Sequence, residues 1–217
     1  MLRRSKQQRE SLNSAVSKYH AALEGSPAGE FLERRGFSLS SIERYRFGFV
    51  QDPLPEHAQY AGMLAIPYLR YHPRFGWGTV DIRFRVLDDS KPKYVSMHGA
   101  HPRLYNTPEL LRGGFEVGIA EGEIDAVTAT ECGLPTVGVP GSQSWKPHWT
   151  PLFRGYSKVW ILSDGDDAGR SMASKVASLL PNAQVVILPE GEDINSVFQK
   201  EGKEGVQRLW TPQENTG

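Results

Sequence analysis

Three carboxylates crowd four positions of the stretch VWILSDGDDAGRS, residues 159–171. Asp164, Asp166 and Asp167 follow directly on the apolar run 159–162. Two further apolar runs end in the same way. Residues 117–120 lead into Glu121-Gly122-Glu123, and residues 185–188 lead into Glu190-Gly191-Glu192-Asp193. Such side chains are hard oxygen donors, and with few cysteines or histidines beside them they favour Mg2+ or Mn2+ over zinc. Gathering them is costly, because two like charges ~4 Å apart repel by ~4 kcal/mol at an effective dielectric of ~20. Converging carboxylates therefore call for a cation among them. Taken singly, each acid has a plainer use, and Asp166 or Asp167 suits the N-cap of a helix beginning DAGR. The metal-site expectation rests on the three turns meeting. Gly122, Gly165 and Gly191 are expected to let backbone approach a ligand closely.

The elements that would bring the turns together are short apolar strands alternating with amphipathic helices. FEVGIAEG, LPTVGVPG, YSKVWILSDGD and AQVVILPEG read as strands. EIDAVTATECG, DAGRSMASKVASLLPN and INSVFQKEG read as helices. This alternation predicts an α/β unit, a mostly parallel sheet covered by helices, with ligands outside the carboxyl ends of its strands. The first half reads differently. Leu12, Ala15, Val16, Tyr19 and Leu23 have helical spacing and predict a helix over about 8–24. SPAGEFLERRG predicts a second helix capped by Ser26, with Pro27 at its first position and Gly36 at its end. A third is expected in SLSSIERYRFG, capped by Ser38 or Ser40 and stopped by Gly48. GMLAIPYLR is a candidate strand. In GTVDIRFRVLD, Val80, Ile82, Phe84 and Val86 alternate with Asp81, Arg83 and Arg85, which puts the charges on one strand face. Residues 91–111 read mostly as loop. The expected division is an N-terminal α+β subdomain over 1–113, the acidic α/β subdomain over 114–210, and a flexible tail over 211–217.

Composition narrows the function classes. Lys plus Arg number 25 and Asp plus Glu number 25, so the formal net charge is zero and any basic surface must be local. One such surface is readable: Arg83, Arg85, Lys91, Lys93 and Arg103, interleaved with Tyr94 and Tyr105, suit the phosphates and stacked bases of a single strand. The single cysteine, Cys132, excludes a disulfide framework and a multi-cysteine zinc module. His98 and His101 have no further zinc ligands around them. No apolar stretch approaches the ~18 residues of a membrane span. The start MLRRSKQQRES lacks the apolar core of a secretory signal, so a cytoplasmic location is expected.

Three segments in order, IAEGEIDAVTA, LSDGDDAGR and LPEGEDINSVF, resemble the motifs of the Toprim domain, the metal-binding module of DnaG-type primases, topoisomerases and some nucleases. Glu121 stands for its first acid, Asp164 and Asp166 for its Asp-x-Asp pair, and Asp193 for its third acidic turn. Asn195 stands where many primases have a second Asp. The first half is similar to the opening of the primase RNA polymerase domain. FLERRGFSLSSIERYRFGFVQD, then Arg85-Val86-Leu87, Lys93-Tyr94 and Leu104-Tyr105-Asn106, fall in that family's order, with Ser96 where an Asn is common. The resemblance spans about residues 20–210.

A DnaG-type primase core implies synthesis of short RNA primers on single-stranded DNA from ribonucleoside triphosphates, using two or more Mg2+ or Mn2+ ions and no zinc. On this reading Glu121, Asp164 and Asp166 are catalytic, and these three with Asp193 are metal ligands. Glu121 either ligates metal or accepts the hydroxyl proton. Arg85, Lys93, Tyr94 and Arg170 would hold nucleotide or template. A separate zinc-bearing primase subunit or a replicative helicase is an expected partner, no membrane is, and the layout suggests a phage gene. Two rivals stand beside it: a Toprim nuclease, and a non-catalytic module that binds single-stranded DNA or a replication partner.

Overall fold

A computed structural model describes residues 5–88 and 90–211, so the tail expected over 211–217 lies, apart from Thr211, outside the described residues. The chain forms two units, residues 1–101 and 102–217. The segment before Gly113 belongs to the second unit because Leu104 sits in that unit's core and Tyr105 bridges to Gly138. The expected boundary at 113 instead marks a loop, where Gly113 and Gly114 take positive φ.

The first unit starts with three helices, α1 (Lys6–Ala21), α2 (Pro27–Arg34) and α3 (Leu39–Tyr45). Ser5 and Gln8 form a capping box on α1, and Ser26 and Ser38 cap the next two by accepting from Gly29 N and Ser41 N. Helix α3 ends at Arg46, which is itself left-handed (φ 56°), rather than at Gly48. Gly48 has another task, since a Cβ there would lie 2.5 Å from the Tyr19 backbone, so it lets the chain cross α1. Four antiparallel strands follow in spatial order, β1 (Gly48–Phe49), β2 (Leu64–His72), β3 (Gly76–Arg85) and β4 (Tyr94–Ser96). The register of β2 on β3 shifts between Tyr68 and Leu69, opposite Val80. That one-residue bulge reverses the alternation. Thr79, not Val80, is therefore buried, along with Ile82 and Phe84, and the charged Asp81 is buried as well. Leu12, Ala15, Val16 and Tyr19 of α1 complete this core, as their spacing predicts.

The second unit is the expected parallel sheet, in order β6 (Thr136–Gly138), β5 (Glu116–Ala120), β7 (Lys158–Ser163) and β8 (Ala183–Ile187). Its helices are α4 (Glu123–Glu131), α5 (Asp167–Ala177) and α6 (Ile194–Gln207). Gly202 (φ 68°) kinks α6 where the sequence places its end. Met172, Ala173 and Val176 of α5 pack on the face bearing Val117, Ile119, Val159 and Ile161. The long β6–β7 connection is structured, which its sequence does not announce. Its 3-10 turn Pro147–Phe153 drives Trp149 and Phe153 into the core beside Trp145, and Pro147 and Pro151 hide the pattern.

Candidate active site

Strands β5, β7 and β8 are parallel neighbours, so their carboxyl ends open along one rim. Glu121 follows β5 by one residue, Asp164 follows β7 by one, and the third acidic turn follows β8. The second and third turns are clasped backbone to backbone. Gly165 N donates to Glu192 O at 2.9 Å, and a Cβ on Gly165 would lie 1.8 Å from Pro189 O. Gly165 thus serves contact between two turns, not approach to a ligand as the sequence suggests. Gly191 is needed for its positive φ of 76°, whereas Gly122 is extended at φ 167°.

The acids of the rim divide into two sets. Asp166 caps α5, its Oδ1 accepting from Gly169 N at 2.7 Å, and Asp193 caps α6, its Oδ1 accepting from Ser196 N at 2.6 Å. Glu192 is taken by Lys200 and Ser196, which hold its carboxyl below the ordinary range. Asp167 pairs with Arg170 at 2.8 Å. Glu121 and Asp164 are different. Glu121 Oε2 and Asp164 Oδ1 are both buried with no hydrogen-bond partner. Burial, then the charges of Asp125, Glu121, Asp193 and Asp166, push the Asp164 carboxyl up to about 8. Burial and then Asp166 also raise Glu121, with hydrogen bonds to Ser142 partly offsetting the rise.

Two members of this group escape the sequence reading. Asp125, buried in the first turn of α4, is the foremost charged neighbour of Asp164 and accepts from Asn195 N at 3.0 Å. Its spacing of four from Glu121 is the available signal, but a first-turn acid reads as ordinary helix chemistry. Ser142, after β6, has no such signal. Asn195 is fully buried, and its Nδ2 meets Thr128 Oγ1 at 3.0 Å. The position of the second Asp is therefore spent on packing α6 against α4.

Helices α4, α5 and α6 all begin at this rim, and each N-terminus offsets negative charge by ~0.3–1 kcal/mol. That is small against a pair repulsion of ~4 kcal/mol, so the helices relieve the crowding without removing it, and Asp164 retains its proton to about pH 8. Divalent metal, which the fold family implies, suits this donor set. Among the described residues no group of three or more His, Cys, Asp or Glu side chains is gathered as a ready ligand cage. Mg2+ rarely needs one, being held by one or two carboxylates plus substrate phosphates. The open oxygens of Glu121 and Asp164 meet that requirement.

The other expected binding residues have mixed fates. Arg170 donates to Gly165 O at 3.1 Å as well as to Asp167, so it braces the second turn. In the first unit, Arg83 and Arg85 lie over the ring of Tyr94, at 4.7 and 4.8 Å from its centroid, and Arg85 is also 5.0 Å from that of Phe31. Lys93 is exposed beside them in sequence. Ser96 pairs with Arg83 across β3 and β4, and its carbonyl accepts from Tyr60 Oη.

A Toprim domain matches residues 116–204. The Gene 57 protein of Mycobacterium phage D29 is 54% identical over 68% of this chain and 97% of its own length. A DNA primase of Pseudomonas aeruginosa is 32% identical over 93% of this chain. The chain belongs to the DnaG-type primase family. It spans 37% of the length of that bacterial primase. The fold agrees: a DnaG primase catalytic domain solved with single-stranded DNA superposes with a TM-score of 0.74, at 23% identity, over 93% of this chain and 77% of the other. Among the described residues no helix is long and apolar enough to cross a membrane.

Proposed function

We propose that this chain is the catalytic core of a primase, joining ribonucleotides on a single-stranded DNA template by metal-dependent nucleotidyl transfer. One observation carries the reading: two buried carboxylate oxygens, on Glu121 and Asp164, stand without hydrogen bonds at the carboxyl ends of adjacent parallel strands. Bound Mg2+ or Mn2+ would neutralise phosphoryl oxygens and stabilise the attacking and leaving oxygens of an in-line displacement. Glu121 and Asp164 would be the direct donors. Asp166 and Asp193, held by their helices, keep the rim negative, and Asp125 adds to its field. The 3′-hydroxyl proton would pass to solvent or to Glu121, whose raised carboxyl favours acceptance. Arg85, fixed by two rings, and exposed Lys93 would take triphosphate or template phosphates. The structural neighbour's bound single strand supports the choice of template. Site selection by a separate zinc-bearing subunit or a replicative helicase accompanies this reading.

Synthesis of di- and trinucleotides from labelled ribonucleotides on single-stranded DNA, with Mn2+ or Mg2+, tests it. Product is expected from the unaltered chain and not from the Asp164→Asn, Asp166→Asn double variant, in which the asparagine carbonyl at the second position would retain the cap. Equal product from both would overturn the assignment. Cleavage of the strand without any nucleotide would establish the nuclease instead.

A further inference from the structure

The β2–β3 hairpin ends in a tip that the catalytic reading does not use. His72 O accepts from Phe75 N at 3.1 Å and Gly76 takes φ 70°, so the strands are joined by Pro73-Arg74-Phe75 and a left-handed glycine. Neither β1 nor β4 reaches this far, since β1 pairs with residues 64–65 and β4 with residues 83–85. Among the described residues the tip is therefore a two-stranded ribbon with no third strand beside it. On it Tyr71 is 51% exposed, Phe75 74% and Trp77 60%. Tyr71 and Trp77 are directly paired across the strands, their rings 5.5 Å apart and edge to face. Arg74 lies over Phe75 at 5.4 Å, and His72 is 4.8 Å from the same ring. Gly76 and Gly78, paired with His72 and Arg70, leave open space where side chains would stand.

Cross-strand aromatic pairing alone stabilises a ribbon by ~0.2–1 kcal/mol and would account for Tyr71 and Trp77. It does not account for Phe75, which sits in the turn with a guanidinium on its face. The charge pattern adds a second constraint. Between Glu56 and Asp81 the chain has no acidic residue, although acids and bases balance overall. Arg and Trp also mark protein hot spots, but those are ringed by packed side chains that exclude water. Between Arg70 and Gly78 there is no Leu, Ile, Val or Met to form such a ring.

From this combination we infer that the hairpin tip is a second nucleic-acid contact, stacking the bases of a single strand on the paired rings of Trp77 and Tyr71 and on Phe75 at the turn, while Arg74, and Arg70 on the ribbon face opposite the pair, meet its phosphates. Exposed rings serve any base because every base has a π-face, and they require bases that are unpaired. The inference stands apart from the catalytic one, since it needs neither metal nor nucleotide.

The test is anisotropy of fluorescein-labelled dT20 and U20, and of a duplex of the same length, on the full chain in EDTA. Trp77→Ala is expected to weaken single-strand binding at least ~5-fold, and Tyr71→Ala with Phe75→Ala further. Trp77→Phe should restore most of the loss, and duplex binding should change little. Arg70→Gln with Arg74→Gln should lower the slope of log affinity on log salt by ~0.7 for each phosphate no longer neutralised. The arm with the larger loss identifies template DNA or RNA product as the strand held. A cooperative melt lowered by no more than ~5 °C certifies folding, because the lost Tyr71–Trp77 pairing accounts for a shift of that size. Wild-type affinity in the folded triple variant would overturn the inference and assign the tip to a protein partner. An equal loss for duplex would overturn stacking. If the unaltered chain makes no primer while Trp77→Ala still loses binding, the catalytic reading falls and this one stands. If primer is made and the triple variant binds normally, only this one falls.

Discussion

Like charges are assembled by opposite means in the two units. At the rim of the second unit, carboxylates are placed by backbone: Asp166 and Asp193 are fixed by helix N–H groups, and the turns bearing Asp164 and Asp193 are clasped at Gly165. In the first unit, Arg83 and Arg85 are placed by side-chain surfaces, both against Tyr94 and one against Phe31. A carboxylate has no apolar face to pack and must be held by donors, whereas a guanidinium is weakly hydrated and stacks on rings. The acidic site should therefore be brittle toward backbone changes, and the basic strip graded in its response.

The largest expected effect is on chemistry. Asp164→Asn with Asp166→Asn should cut primer synthesis by at least ~1,000-fold, equivalent to ~4 kcal/mol of lost transition-state stabilisation. The melting temperature should hold or rise in metal-free buffer, because the crowding that pushes Asp164 up to about 8 is relieved. Loss of activity together with unfolding would make these acids structural.

Next is Gly165→Ala. A Cβ 1.8 Å from Pro189 O cannot be accommodated without parting the second and third turns. Overpacking of this kind costs ~3 kcal/mol, read as a lower denaturation midpoint, and the response to Mg2+ should vanish with it. A stable, metal-responsive variant would show that the clasp does not set the rim. In the first unit no backbone change of comparable consequence is expected at Arg85, because rings rather than turns hold it.

This contrast also explains what the sequence discloses. Acids directly behind apolar runs are legible because a parallel sheet sends every strand end to the same edge, and Glu121, Asp164 and the third turn lie there. What each acid does on arrival is not legible. Glu192 is held by Lys200, eight residues on, and Arg170 is tied to Asp167 and Gly165 O, contacts that proximity to a motif does not reveal. Asp125 escapes notice because its role depends on how α4 docks beneath the rim. In the first unit the alternation in β3 is readable from Ile82 onward and fails at Val80, since a bulge leaves no mark in composition.

A third prediction concerns pH. The folded Asp164 carboxyl is raised from 3.8 to about 8, so the folded chain binds a proton that the unfolded chain releases near 4. Metal-free stability from this group is therefore full below about pH 4 and is lost as pH rises toward 8. Divalent metal competes with that proton. Saturating Mg2+ should raise the melting temperature by ~6 °C at pH 8.5 and by less than half of that at pH 6. Asp164→Asn should flatten the metal-free slope, and Asp125→Asn should move its midpoint to lower pH. A metal response that is equal at both pH values would place the ion away from Asp164.

The smallest effect tests the aromatic clamp. Among the described residues Arg85 has no carboxylate partner, and its buried Nε makes no hydrogen bond. Its guanidinium is held by Tyr94 and Phe31, a contact of ~1 kcal/mol. Arg85→Gln should thus lower stability by no more than ~1 kcal/mol while raising the KM for ribonucleotide or template ~10-fold, because it removes the charge that both rings hold in place. Arg85→Lys separates the two contributions. Its ammonium supplies the charge but is strongly hydrated and lacks a planar face, so it should lie between the parent and the Gln variant, with a KM raised ~3-fold. If Lys behaves as the parent does, charge alone matters and the rings are ordinary packing. If Lys is as poor as Gln, orientation by the rings is the decisive term, and the basic strip is as geometrically exacting as the acidic rim.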